Sequence, residues 1–197
     1  MKFTTASMLA ATAAIVSASP CRPSTTDSQI KDGDPFTILT IRSGSDLQYG
    51  SFQAANGGLL INTPQQNASC ATDANYATFQ LNNGSLYLYT DNPPQQIFVD
   101  RSGMGQGVVQ YTTGVQGIGK NGERGPFAID EENHLVFRGP GIQGDFGFQA
   151  CPNARPGGYS VWLDGNTNPA GNSGCLGIAA RPIKADKPNK CSYTQGL

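Results

Sequence analysis

The chain has 197 residues, a formal net charge of −1 and only 14% charged residues, where soluble domains average about 25%. Glycine fills 25 positions, roughly 13% against a usual ~7%. This excludes a long coiled coil, a sequence-blind nucleic-acid binder with its basic surplus, and a charge-rich disordered tail. What remains is a loop-rich, sheet-rich globular chain of a length suited to one domain with tails.

Residues 1–18, MKFTTASMLAATAAIVSA, read as a signal peptide. Lys2 supplies the positive start, Met8 to Val16 the short apolar run, and Val16-Ser17-Ala18 the small or β-branched residues that a signal-peptidase site requires. The run is shorter than the ~20 residues that span a bilayer. Cleavage would leave Ser19 first, and without Lys2 there are 12 basic side chains against 14 acidic. The ending KCSYTQGL has no hydrophobic tail, so neither a GPI signal nor a membrane anchor is expected. Residues 19–34, rich in Pro, Ser, Thr, Asp and Gly, read as a flexible leader.

From residue 35 to 197 the pattern predicts a single disulfide-stabilised β domain. Short apolar runs are Phe36–Ile41, Leu47–Ala54, Leu59–Asn62, Tyr76–Leu81, Ser85–Thr90 and Gln96–Asp100. Val108–Thr112, Phe127–Ile129, Leu135–Phe137, Phe146–Cys151, Tyr159–Leu163 and Leu176–Ile183 follow. Asn82-Asn83-Gly84 reads as a three-residue hairpin connection of a type I turn with a bulge. In Ser85–Thr90, Leu86 and Leu88 should face one way and Tyr87 and Tyr89 the other. Beyond the signal peptide no window holds helical periodicity over three turns. About twelve short strands predict an all-β barrel-like or sandwich fold. The blocks YATFQLNNGSLYLY (76–89), PFAIDEENHLVF (126–137) and, more loosely, SFQAANGGLLI (51–61) resemble one another, which favours a β-trefoil over a β-sandwich.

The five cysteines contain no C-x-x-C pair, and with one histidine in the chain no metal site is expected. In an oxidising compartment Cys70, Cys151, Cys175 and Cys191 are disulfide candidates, with Cys21 in the leader the odd one. Three connectivities are open; Cys70 with Cys191 and Cys151 with Cys175 is preferred, the first tying the domain's start to its end. Asn67-Ala68-Ser69 and Asn83-Gly84-Ser85 are N-glycosylation acceptors.

No catalytic residues are identified. His134, in EENHL, would have to serve any Ser-His-Asp or Cys-His triad and reads better as a solvated turn residue. Asp91, Asp100, Asp130, Glu131, Glu132 and Asp164 fall in turns, where Asp hydrogen-bonds its own backbone, rather than in a paired-carboxylate arrangement. Gly103-Met104-Gly105-Gln106-Gly107 has no following Lys-Ser/Thr and no helix, so it reads as a strand connection, and no cofactor is expected. Trp162, Tyr87 and Tyr89 could stack on sugar rings, and Asp164-Gly165-Asn166-Thr167-Asn168 could meet sugar hydroxyls; core packing and ordinary turn chemistry are the competing readings.

The string FVDRSGMGQGVVQYTTG (98–114), with SLYLYT (85–90), YSVWLDGNTNPAGNSGCLGIAAR (159–181) and CSYT (191–194), resembles the signature of a fungal secreted cell-wall family. That family is the phialide-associated cell-wall protein (phiA) group with its IgE-binding, allergen-like relatives. The resemblance covers the chain from about residue 36 and leaves out the leader with Cys21. It implies a secreted, wall-associated protein linked to asexual sporulation, with no catalytic residues to carry over. The expected function is structural or developmental, with cell-wall polysaccharide or wall proteins as partners. A lectin-like carbohydrate-binding module is the alternative, and a hydrolase or protease inhibitor a third. The oligomeric state is left open.

Overall fold

The computed structural model describes residues 29–141, 143–155 and 157–196. The signal-peptide segment and Cys21 lie outside the described residues. Short apolar–polar alternations cut by Gly, Asn and Pro give fifteen strands. They begin with β1 (Pro35–Ile41), β2 (Phe52–Ala55), β3 (Gly58–Ile61), β4 (Ser69–Cys70) and β5 (Thr78–Asn82). Next come β6 (Ser85–Leu88), β7 (Gln95–Asp100), β8 (Val108–Thr113), β9 (Gly122–Glu123) and β10 (Phe127–Ile129). The last are β11 (Leu135–Phe137), β12 (Phe148–Pro152), β13 (Tyr159–Leu163), β14 (Leu176–Lys184) and β15 (Cys191–Ser192). The three beyond the expected twelve are β4, β9 and β15, of two residues each and too short to leave a period-two pattern. Leu47 to Gly50 folds as a turn, with Tyr49 at φ 63°, so the second strand starts only at Phe52. Among the described residues no helix is long and apolar enough to cross a membrane.

Strand pairing closes on itself. It runs β3–β13–β12–β14–β1–β5–β6–β7–β8 and returns to β3, a ring of nine strands with every pair antiparallel. β8 and β13 pair at Val108↔Trp162 and then splay. β3 fills the gap, with Gly58 against Gln110 on one side and Leu60 and Ile61 against Ser160 and Tyr159 on the other. β2 hangs on β3 and β9 on β7, while β10–β11 and β4–β15 form separate two-stranded sheets. A closed ring leaves few strand edges open to other chains.

The all-β expectation holds, and the closed ring replaces the trefoil. The three similar sequence blocks each become a hairpin, but their places are unequal. Block 76–89 gives β5–β6, both in the ring; block 51–61 gives β2–β3, with only β3 in it; block 126–137 gives β10–β11, outside it. Local alternation and turn residues set the hairpins, and long-range pairing then used each differently. A sandwich would keep two open sheets, whereas here the main sheet joins end to end. The β5–β6 turn also differs from expectation. Asn82 pairs with Ser85, leaving a two-residue connection, Asn83-Gly84, with φ of 47° and 77°. Two positive φ values make a type I′ turn, whose twist matches the flanking strands.

The barrel interior follows the alternation. Phe36 and Ile38 of β1, Leu86 and Leu88 of β6, and Ile97 and Val99 of β7 are buried, while Tyr87 and Phe98 sit on the half-buried outer face. Six phenylalanines are fully buried, and Phe36–Phe79, Phe52–Phe148 and Phe127–Phe137 make ring pairs at 6.2, 6.4 and 5.1 Å. Such pairs add to the area term that dominates core stability.

Four glutamines are also buried: Gln53, Gln66, Gln95 and Gln149. Each uses its side-chain amide as a spare peptide group. Gln53 donates to Thr63 O and accepts from Thr63 N; Gln66 donates to the carbonyls of Ala74 and Tyr76. Gln95 does the same to Tyr193, and Gln149 donates to Leu163 O and Asn166 O. These bonds satisfy loop backbone groups that would otherwise be buried unpaired.

Both ends of the described chain are fastened. Gly33 N donates to Leu81 O, Asn83 N to Asp32 Oδ1 and Gln80 Nε2 to Gly33 O, so residues 31–34, read as the end of the leader, dock on the β5–β6 hairpin. The C-terminal strap is held by the disulfide Cys70–Cys191 and by buried Tyr193, whose hydroxyl accepts from Thr78 N. It continues to Thr194, whose carbonyl accepts from the Tyr111 hydroxyl and from Gly57 N. A second disulfide, Cys151–Cys175, ties β12 to the start of β14.

Candidate functional site

The segment Asp100–Gly107 links β7 to β8 and folds on its own polar groups. Ser102 N donates to Asp100 Oδ1 at 2.9 Å, Gly105 N to Ser102 Oγ at 3.2 Å, and Gly107 N to Asp100 O at 2.7 Å. A Cβ on Gly105 would lie 2.2 Å from Asp100 Cγ, so only glycine fits there. The segment is a strand connection, with a shape fixed by more than its glycines.

A second loop comes up beside it from the end of β13. Asp164 N donates to Gly147 O, and Asp164 Oδ1 accepts from Gly165 N at 2.8 Å. Gln106 joins the two loops. Its Oε1 accepts from Asn166 Nδ2 at 3.1 Å and from Ala170 N at 2.8 Å, while its Nε2 donates to Gly103 O at 3.2 Å. Beneath Asn166 the buried Gln149 holds the carbonyl of the same residue at 2.8 Å.

Between the loops lies a cleft of about 490 Å³, walled by Phe146, Leu163 and Arg101 and rimmed by Ser102, Asp164 and Asn166. Arg101 is held rigidly. Its Nε and Nη2 donate to the two carboxylate oxygens of Glu123, each at 2.9 Å, and its guanidinium lies 5.8 and 5.9 Å from the ring centres of Phe137 and Phe146. A bidentate pair with aromatic faces beside it leaves a fixed, locally neutralised guanidinium. On its other side Arg101, with Ser102, lines an adjoining cleft of about 380 Å³ that Lys120 and Glu123 also face. A further opening of about 580 Å³ beside the C-terminal strap has no carboxylate in its lining.

The aromatic residues singled out in the sequence are not brought together. Trp162 is on the outer face of β13, its indole N–H donating to Ser160 Oγ at 2.9 Å. Tyr87 stands on β6 among glutamines, paired across the strands with Gln80 and Gln96. Tyr89 follows β6, with Lys190 Nζ 5.7 Å from its ring centre. Between β13 and β6 the ring places β3, β8 and β7, so these rings do not make one stacking platform. The loop Asp164–Asn168 does border the cleft. Arg101 and Phe146 carry no mark in the sequence as site residues, and Gln106 stands there only within the glycine-rich connection; an amide set between two glycines is the signal that marks it.

Both sequon asparagines are exposed, Asn67 before β4 and Asn83 at the β5–β6 tip. His134 lies at the β10–β11 turn, its N–H donating to Asp130 Oδ1 at 2.7 Å. Asp130, Glu132 and His134 bring ligand atoms within 4.8 Å of one another, an arrangement exposed acidic turns often make without an ion. Glu132 is largely solvated, and its carboxylate is 3.7 Å from His134 Nδ1. The turn itself gathers these groups, because the Asp130 side chain closes it.

A family model described as PhiA-like secreted protein matches residues 36–194, which includes every element lining the cleft. The chain belongs to the PhiA-like secreted protein family. It is 44% identical over 197 residues to a cell wall protein phiA of Emericella nidulans, covering 98% of this chain and 100% of the relative. It is 45% identical over 191 residues to a cell wall protein phiA of Aspergillus fumigatus, covering 95% and 96%. With a relative of the same description in Aspergillus niger it shares 44% over 164 residues, 82% and 86% of the two chains. No solved structure matches the chain. Membership gives a secreted, cell-wall location, in agreement with the expectation from the residues.

Proposed function

We propose that this protein works in the wall without catalysis, as a disulfide-tied barrel that contacts neutral polysaccharide and supports asexual structures. The observation that carries the reading is the family match across residues 36–194, with relatives described as cell wall proteins. The chemistry of the surface supports it. With a formal net charge of −1 the chain carries little unbalanced charge for an ionic partner, and Arg101, Arg138, Lys184 and Lys190 are each paired with a carboxylate. A general acid for glycoside hydrolysis needs a raised carboxyl pKa. The carboxyls of Asp34 and Asp145 are lowered by hydrogen bonds from Lys184 and Arg138, so neither of these two is suited to that role.

The test is fractionation with a deletion strain. The protein should co-purify with washed walls, and its loss should alter wall composition or conidiophore development. A protein found only in the culture fluid, with walls and sporulation unchanged in the deletion, would sink the reading. Release of sugar from glucan, chitin or mannan by the purified protein would overturn the non-catalytic part.

A further inference from the structure

We propose that the trough formed by the two clefts at Arg101 and Ser102 is a binding subsite for a neutral polysaccharide chain, taking one or two hexopyranose units. The proposal rests on the polysaccharide reading given under Proposed function and deepens it by naming where the contact is made.

Shape comes first. The clefts of about 490 and 380 Å³ each fall in the range of small-ligand sites, roughly 300–1,000 Å³. They share Arg101 and Ser102 as a common wall and lie side by side across adjacent loops, which makes a two-part trough. A trough accepts an internal stretch of polymer, where a closed pocket would accept an end.

Charge comes second. The trough holds two cations, Arg101 and Lys120, and two carboxylates, Glu123 and Asp164. Glu123 is already spent on Arg101. A phosphate or sulfate polymer would meet no net positive field here, and a cationic one no net negative field. A neutral ligand fits this balance.

Hydrogen-bonding chemistry selects a sugar among neutral ligands. A pyranose has an apolar C–H face and a rim of hydroxyls, each both donor and acceptor. Phe146, half-buried in the wall, offers a flat apolar surface. On the rim, Asp164 accepts from Gly165 N through Oδ1, and its Oδ2 has no hydrogen bond among the described residues. A free carboxylate oxygen on a rigid turn is a strong acceptor for paired hydroxyls. Ser102 Oγ already accepts from Gly105 N and keeps its own proton to donate. These groups are positioned before a ligand arrives, because Gln106 bonds across both loops and Gln149 fixes the second from below. Preorganisation lowers the ordering cost of binding. Asp164 is the sole carboxylate of the trough outside an ion pair, which suits binding rather than hydrolysis, since hydrolysis uses two.

The test is calorimetric titration of the full secreted protein with hexasaccharides of β-glucan, chitin and mannan, run separately to distinguish the sources, alongside pelleting with insoluble walls. Gly103→Trp fills the trough from a position where a Cβ meets no heavy atom within 4 Å. Asp164→Ala removes the free acceptor at an exposed turn. Both should weaken binding of the preferred oligosaccharide by about tenfold or more, with the thermal midpoint held. Ile183→Ser, exposed on β14, should bind like wild type. If Gly103→Trp fails to fold, Asp164→Ala and Asp164→Asn decide the matter. Wild-type affinity in the folded variants overturns the trough and leaves the polysaccharide reading standing, as does pelleting with walls without binding to any hexasaccharide. A wild-type protein that neither binds an oligosaccharide nor pellets with walls overturns both.

Discussion

Gln95 offers the sharpest test of how this barrel is held. It is 2% exposed at the start of β7, and its amide meets the C-terminal strap the way a neighbouring strand would. Oε1 accepts from Tyr193 N at 2.9 Å; Nε2 donates to Tyr193 O at 2.8 Å and to Thr113 Oγ1 at 2.9 Å. Gln95→Met keeps length and volume and removes all three bonds. The N–H and C=O of Tyr193 are then buried without partners, and each such group costs about 1–3 kcal/mol. Methionine recovers part of this through its apolar surface, and the strap recovers more by shifting toward water. The expected loss is therefore about 2–4 kcal/mol, a large share of the ~5–15 kcal/mol that holds a typical domain. Equilibrium urea unfolding with the disulfides intact measures it, with an unchanged denaturant slope as the sign that only stability moved. The strap should also open locally, so the Cys70–Cys191 disulfide, two residues away, should be reduced faster than in wild type. A variant within about 0.5 kcal/mol of wild type, with an unchanged slope and unchanged reduction rate, would refute the assignment of this amide as the strap's anchor.

Three other outcomes follow from the same framework. The chain-entropy relation for loops of 121 and 24 residues gives about 4.9 and 3.4 kcal/mol, so replacing Cys70 and Cys191 by serine should cost more than replacing Cys151 and Cys175; equal unfolding midpoints would count against it. Burial pushes the Tyr193 hydroxyl from 10.0 up to about 12 and raises that of Tyr111 as well. Both are neutral in either state well below pH 10, but between pH 10 and about 12 the unfolded chain loses the Tyr193 proton first. Stability is thus intact below this window and falls through it, by about 2–3 kcal/mol. Tyrosinate absorbance should rise together with loss of the β signal; complete tyrosine titration in an intact barrel would contradict this. Gly105→Ala should disorder the 101–107 loop, because its Cβ would meet Asp100 at 2.2 Å, whereas Gly103→Ala should be silent; amide exchange across the loop separates the two.

Much of the wall was legible because its residues obey one local rule. Leu86 and Leu88 inward with Tyr87 outward, or Ile97 and Val99 inward with Phe98 outward, need only strand geometry. Ring closure was not legible. It depends on which hairpin meets which, and the three look-alike blocks show that similar alternation can end in the wall, half in it, or outside it. The buried glutamines were hidden for a related reason. A polar residue in a strand reads as outward, whereas Gln95, one residue before the expected strand Gln96–Asp100, points inward to a backbone 98 residues away. The trough was half legible. Asp164 and Asn166 stood in a loop rich in groups that sugars use, but Phe146 reaches them through the bridge to Phe137, and Arg101 through Glu123. Neither link has a sequence signature.

One kind of group connects these observations. Asn and Gln together are as frequent in this chain as Asp, Glu, Lys and Arg combined, and the structure uses them where other proteins use charge or backbone. Inside, Gln53, Gln66, Gln95 and Gln149 pair with peptide groups. At the trough, Gln106 binds Asn166. An amide both donates and accepts without adding charge, so it can fasten loops in a barrel whose outer surface stays nearly neutral. A charged residue in Gln95's place would bury an ion with no counter-charge in its bonding set, which is far more costly than an unmade hydrogen bond. The preference has a consequence that can be measured. Gln95→Glu differs by one group of similar size, and it should destabilise the barrel more at pH 7 than Gln95→Met does, with the gap closing as acid protonates the new carboxyl. Equal losses at both pH values would show that the strap relaxes enough to hydrate the site, and that the amide there is a matter of packing rather than of charge.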